Sequence, residues 1–171
     1  MIASRTIRFS RLGTTAGHRP GAIRPNRHGG PRLPGMHSEE VEIRTGGREV
    51  VRDLNTECEK FLRGAGGDEG LLHLWVPHAT AGIAVIETGA GSDEDLLTAL
   101  RELLPVDDRW RHRHGSYGHG RDHVLPAFVA PFVSVPVLGG RMALGTWQSV
   151  CLVDTNTDNP TRRVRMSFLR G

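Results

Sequence analysis

Lysine and cysteine are almost missing from this chain: 171 residues contain one lysine, Lys60, and two cysteines, Cys58 and Cys151. The cysteines have neither C-x-x-C spacing nor a secreted disulfide pattern, so a reducing compartment, the cytoplasm, is expected. Cys151 falls in an apolar run and reads as a core thiol. The chain also lacks a secretory apolar region, a twin-arginine pair and any apolar stretch long enough to span a bilayer, so no membrane association is expected.

Acidic residues are missing from positions 1 to 35, which hold seven arginines, Arg5, Arg8, Arg11, Arg19, Arg24, Arg27 and Arg32. That segment carries +7 of a total formal charge of +3, which leaves −4 for the rest. Rich in proline and glycine and without apolar periodicity, it has too little hydrophobic surface to offset the entropy of ordering it. It reads as a nucleic-acid arm, as a transit peptide, or as sequence upstream of a start at Met36. Nucleic acid is expected as a partner only through this tail. Residues 36 to 171 are expected to form a single domain, large enough to fold without disulfide or metal, so any metal would serve function.

From Met36 the pattern is regular. Glu39 to Thr45 alternates as a half-buried strand, and Gly46-Gly47 turns it. Leu54, Cys58 and Phe61, with Val51 as a further candidate, recur at helical spacing, with Asp53 near the start and Gly64 beyond the end. Leu71 to Pro77 and Gly82 to Glu87 read as strands of a hairpin or bulged pair. Ser92 is the expected N-cap of a second helix, with Asp95 in the capping-box position, a buried stripe of Leu96, Leu97, Leu100, Leu103 and Leu104, and a stop at Pro105. A short helix capped by Asp122 is expected over Val124 to Phe128. Phe132 to Val137 is a strand, Leu138 to Arg141 a turn, Ala143 to Asp154 the longest strand, and Arg163 to Leu169 the last. The class is α+β, with many antiparallel strands and two main helices.

Four histidines then stand out within a dozen positions: His112, His114, His119 and His123. Imidazole is the commonest protein ligand for zinc, and Asp122 beside His123 offers the carboxylate that fixes the tautomer of a bound ring. Gly115, Gly118 and Gly120 let the backbone turn the rings inward. A metal or phosphate site is the functional reading; a solvated loop in an Arg- and His-rich protein is the other. His78, in Pro77-His78-Ala79-Thr80-Ala81-Gly82, stands at a strand end where backbone amides can approach an anion. Gly145-Thr146-Trp147-Gln148 reads as a polar pair and a large aromatic inside an apolar strand, either core or the wall of a pocket.

These segments together resemble the YjbQ-type family, also described as secondary thiamine-phosphate synthases. The resemblance spans roughly residues 37 to 169. It rests on the H-A-T-A-G-I strand from His78 to Glu87, the W-R-H…G-H…D-H run from Trp110 to Ala127, and the G-G-R…L-G-T-W-Q run from Gly139 to Gln148. It implies an α+β domain of β-sandwich character, usually trimeric, with histidines near a subunit boundary. It also implies a transferase activity that joins a pyrimidine-methyl diphosphate to a thiazole phosphate with loss of pyrophosphate.

Carried over residue by residue, His78, Thr80 and Glu87 form the catalytic set. The resemblance implies that Gly145, Thr146, Trp147 and Gln148 bind a small phosphorylated heterocycle, and the expected ligands of a divalent metal, zinc by ligand type, are His112, His119 and His123. The chain departs from the pattern by spreading its last histidines over Gly118 to His123, and His114 has no counterpart among the ligands. Arg162, Arg163 and Arg165 read either as charge for a departing pyrophosphate or as a solvated face. A metal-dependent phosphoester hydrolase and a non-catalytic, oligomeric metal- or ligand-binding protein are the alternatives.

Overall fold

The computed structural model describes residues 35–171. The readings of the basic tail concern residues outside this range, Gly35 excepted. Two antiparallel sheets are stacked, and the alternation read from the sequence decides which side of each faces the other. In the large sheet β1 (Met36–Arg44) pairs with β8 (Thr161–Arg170), placing Val41 opposite Val164 and Glu40 opposite Arg165. One face of the pair buries Ile43, Val164, Met166 and Phe168. On the other, Glu40 pairs with Arg163 at 3.5 Å and Arg165 at 3.0 Å, both exposed to solvent. β3 (Gly70–Trp75), β5 (Phe132–Leu138) and the two-residue β6 (Arg141–Met142) extend the sheet in the order β1-β8-β3-β5-β6.

The small sheet contains β2 (Val50–Asp53), β4 (Ala81–Ile86) and β7 (Ser149–Asp154), with β7 central. All six β7 residues are buried because both faces of the strand are covered. Val150 and Leu152 pack toward the large sheet, whereas Val153 packs into an outer layer with Leu100, Leu104, Leu125 and Val129. This is why the strand reads as a continuous apolar run rather than an alternation.

Helix α1 (Asn55–Ala65) buries Cys58, Phe61, Leu62 and Ala65 in the inner core; the Asp53 carboxylate accepts the Asn55 N–H at its start, at 2.7 Å. Desolvation raises both thiols, Cys58 and Cys151, to about 12, so they remain protonated core groups. Helix α2 (Ser92–Leu103) lies over the outer face of the small sheet. Next to it lies the histidine segment, whose 3-10 turns at His119–Arg121 and Leu125–Ala127 bury Arg121 and Leu125. Among the described residues no helix is long and apolar enough to cross a membrane.

The α+β class, antiparallel pairing and two main helices agree with the sequence reading; several local expectations do not. Strands β3 and β4 form no hairpin: residues 76 to 80 step from the large sheet to the small one. Val51 belongs to β2, not to α1. Gly64 is helical, and the left-handed stop is Gly66, at φ +63°. Ser92 is already in α2, no side chain caps that helix, and of the leucines within it only Leu100 is buried. The expected long strand from Ala143 begins only at Ser149. Asp122 caps no following helix, since its carboxylate is engaged by Thr155 and Asn156.

Candidate metal centre

The histidine segment is tied to the fold at both flanks. The Trp110 indole packs in the outer layer and donates to the Pro105 carbonyl at 2.9 Å. Arg121, almost fully buried, pairs with Glu49 and donates to the Leu104 carbonyl at 3.2 Å. Held by these anchors, the four imidazoles close into a ring. Centroids of His112–His123 and His112–His114 are 4.1 Å apart, and those of His114–His119 and His119–His123 are 4.8 Å apart.

One nitrogen from each of the four rings lies within 4.8 Å of the others. Tetrahedral zinc with Zn–N bonds of about 2.0–2.1 Å spaces its donors roughly 3.4 Å apart, so small side-chain rotations suffice for ligation. Two Nε2 atoms, of His119 and His123, already face each other at 2.9 Å. The donor set fits zinc, and His114, which sequence reasoning left out, belongs to it. His112 and His114 are exposed, His123 is half-buried, and His119 is 6% exposed.

His119 is held from behind by residues far along the chain. Its Nδ1 lies 2.7 Å from Asp158 Oδ2 and 2.9 Å from Asn156 Nδ2. The amide orientation of Asn156 is fixed, because its Oδ1 accepts from Arg162 and from the Asp158 N–H, both at 3.1 Å. The two contacts favour opposite tautomers: Asp158 accepts a proton from Nδ1, whereas Asn156 donates one to it. Engagement of Nε2 by a cation leaves Nδ1 protonated and selects the Asp158 contact. Asp122, the partner expected for His123, instead accepts from Thr155 at 2.7 Å and Asn156 at 3.1 Å, and its carboxylate lies 3.9 Å from His119.

Asp158 also accepts the Ser116 N–H at 3.1 Å, a bond that, with His119, holds its carboxyl below the usual range. Gly115 makes this close approach possible, with φ +79° and a hydrogen where a Cβ would come within 2.5 Å of Asp158 Oδ2. Behind Asn156, buried Arg162 pairs with buried Asp154 at 2.8 Å, a structural ion pair and not a solvated face.

Desolvation first and the neighbouring rings second hold His112 and His123 below the ordinary imidazole value. Neutral rings are what a metal requires. His78 is lowered as well, by burial and then by Arg162 and Arg163. Its Nε2 accepts the Arg163 N–H at 3.0 Å, and it lines one cleft with His123 of the same chain. Thr80 is buried at the entrance to β4.

Glu87 and the Gly145–Gln148 turn lie elsewhere. Asp154, next to the residues that hold His119, pairs with Ala81 at the start of β4, whereas Ser149 pairs with Ile86 at its end. Glu87 follows Ile86 and Gln148 precedes Ser149, so both stand about 20 Å along the strand from the histidine end, at roughly 3.3 Å per residue. The turn is not in a strand: Gln148 Oε1 accepts the Gly145 N–H at 2.8 Å, and Trp147 is 73% exposed rather than core.

Residues 39–171 match the family described as UPF0047 protein YjbQ-like. The chain belongs to this family. It is 58% identical over 136 residues to the UPF0047 protein Rv2556c of Mycobacterium tuberculosis, a match covering 80% of this chain and 100% of that protein. Solved structures agree in fold. A YbjQ-like protein of unknown function from Sulfolobus solfataricus superposes with a TM-score of 0.74 at 24% identity, over 80% of this chain and 98% of that one. A hypothetical protein from Aeropyrum pernix gives 0.73 at 30% identity, over 79% and 99%.

Proposed function

We propose that the four-imidazole ring binds one divalent cation, zinc by donor type, and serves group transfer on small phosphorylated heterocycles. The reaction to which the family resemblance points is a thiamine-phosphate synthase type of transfer, joining a pyrimidine-methyl diphosphate to a thiazole phosphate with release of pyrophosphate. The observation that carries the reading is the convergence of four imidazoles in front of the Asp158 carboxylate and the buried Asn156 amide. When bound, the cation supplies stabilisation of the negative charge that grows on the departing diphosphate.

The chain's own residues do the rest. Asp158 and Asn156 orient His119, and exposed His112 and His114 leave the ring open to an anion from solvent. His78, neutral and fixed through Nε2, offers Nδ1–H to a ligand beside His123. That openness also favours a second reading, hydrolysis of a phosphoester by metal-activated water.

The large sheet presents Leu71, Leu138 and Leu169 on its outer face, all exposed in the single chain. An apolar sheet face of this kind supports assembly with further copies, and a closed homotrimer is the state proposed.

Zinc-loaded protein supplied with the two precursors separates the readings. Pyrophosphate release that requires both substrates, and that is lost in His119→Ala, supports the transferase. Release from the diphosphate alone favours hydrolysis. No turnover with either substrate, despite stoichiometric zinc, leaves a ligand-binding role and overturns both.

A further inference from the structure

Beside the imidazole ring lies the open cleft of about 390 Å³ that His78 and His123 line. Its walls include Pro77, Pro126 and Pro131 with Trp75, and no carboxylate, lysine or arginine lines it. Trp75 stacks on Phe132 with ring centroids 6.3 Å apart, yet remains 42% exposed at the rim. Two polar side chains line the cleft, His78 and His123, and they differ in role. His123 directs Nε2 toward His119 and so forms the partition between cleft and ring. His78 uses Nε2 as acceptor for the Arg163 N–H, which puts its proton on Nδ1. Burial and the two adjacent arginines keep it neutral. A neutral donor so fixed neither accepts a proton at Nε2 nor ligates a metal through it.

We infer that this cleft is a subsite for a planar, uncharged ring bearing one hydrogen-bond acceptor, which His78 recognises by donating from Nδ1 while the ring's anionic substituent reaches past His123 to the imidazoles. Flat proline and indole surfaces suit a ring face, the absence of charged walls disfavours an ionised group, and the one donor selects an acceptor. His78 is thereby a specificity determinant rather than a general base. The inference rests on the proposal that the imidazole ring holds a cation and receives phosphate, and the test keeps the two apart.

Zinc-loaded full-length protein is titrated with pyridin-3-ylmethyl phosphate, benzyl phosphate, inorganic phosphate and pyridin-3-ylmethanol, with binding read from NMR shifts of the Trp75 indole and the His78 ring. The pyridyl phosphate is expected to bind about fivefold to tenfold more tightly than benzyl phosphate, the worth of one hydrogen bond to a neutral donor. His78→Phe should erase that ratio and leave inorganic phosphate unaffected, whereas His78→Asn, whose amide N–H mimics Nδ1–H, should keep part of it. Equal affinity of wild-type protein for the pyridyl and benzyl phosphates overturns the subsite, whatever the variants do. If pyridin-3-ylmethanol shifts His78 and Trp75 while no phosphate binds, the subsite stands and the cation-and-phosphate reading fails. If inorganic phosphate binds but neither aromatic probe moves Trp75 or His78, the reverse holds.

Discussion

The two ends of the small sheet are built differently. At the Asp154 end, a charged and polar scaffold of Asp154, Arg162, Asn156, Asp122 and Asp158 is locked by mutual hydrogen bonds and holds one buried imidazole in place. At the Ser149 end, Asn55 and Thr88 engage the Ser149 hydroxyl at 3.2 and 3.3 Å, and beyond them the turn carrying Trp147 stands in solvent, closed only on itself. Preorganisation at the first end is what a ligand site needs, because the orienting groups are already paired before anything binds. Exposure of a large aromatic at the second end is what a contact surface needs.

Zinc affinity gives the largest expected contrast between the ends. His119→Ala should weaken zinc binding by at least about a hundredfold, as removal of an oriented ligand does, while Trp147→Ala leaves it unchanged in a chelator competition. Asp158→Asn, which removes the negative charge behind Nδ1, should cost about tenfold. Equal loss from the histidine and tryptophan substitutions would erase the distinction between the ends.

Glycines sharpen the contrast at the level of folding. Gly115→Ala places a Cβ at φ +79° and against Asp158, so unfolding free energy should fall by about 1–3 kcal/mol and zinc affinity with it. Gly145→Ala meets no closer neighbour than the end of the Gln148 side chain at 3.3 Å, and no positive φ. There, a change within about 0.5 kcal/mol is expected in the denaturant midpoint. If Gly115→Ala behaves like Gly145→Ala, Asp158 does not clamp the histidine segment.

Much of this was legible in the sequence, and the failures share a cause. Alternation in Glu39 to Thr45 and Arg163 to Leu169 located the two longest strands because each is covered on one face. The clustering of His112, His119 and His123 survived folding because the segment is short and its anchors, Trp110 and Arg121, lie within it. Asp158 and Asn156 were missed because they reach His119 from the β7–β8 loop, nearly forty positions away. Local spacing made Asp122 the carboxylate of His123, yet its acceptor atoms were claimed by Thr155 and Asn156. The link from Pro77 to Thr80 had the length of a hairpin turn and instead crosses between sheets, a choice made by which faces are apolar rather than by loop length. Trp147 read as core or as the wall of a pocket from its apolar neighbours; its core alternative fails because the Gln148 side chain folds back on Gly145 and the strand starts only at Ser149.

The effect of acid should be smaller and confined to the histidine end. His112 and His123 have folded-state values below the ordinary 6.5, so folding favours their neutral forms. That contribution is present above the unfolded value and is lost as pH falls through the folded one. Metal-free protein should therefore keep its thermal midpoint down to about pH 6.5 and lose it progressively below. Zinc affinity should begin to fall in that same lower range, because the rings must shed protons to bind. Melting curves across pH in the presence of chelator check the first expectation. A midpoint that rises on acidification would reverse the sign and place the charged imidazoles, not the neutral ones, in the folded state.

The smallest expected effect on folding is that of Trp147→Ala, and it separates a contact surface from a core. At 73% exposure the indole has little burial to lose, so the unfolding free energy of a dilute single chain should change by no more than about 0.5 kcal/mol. In an assembly the expectation differs, because truncating a tryptophan at the centre of an interface costs about 2 kcal/mol or more. Sedimentation or light scattering across a dilution series therefore reads what melting does not: a dissociation midpoint shifted by about thirtyfold, with monomer stability unchanged, places Trp147 between copies. No shift in either measurement would leave the turn a solvated loop and remove the Ser149 end from any part in assembly.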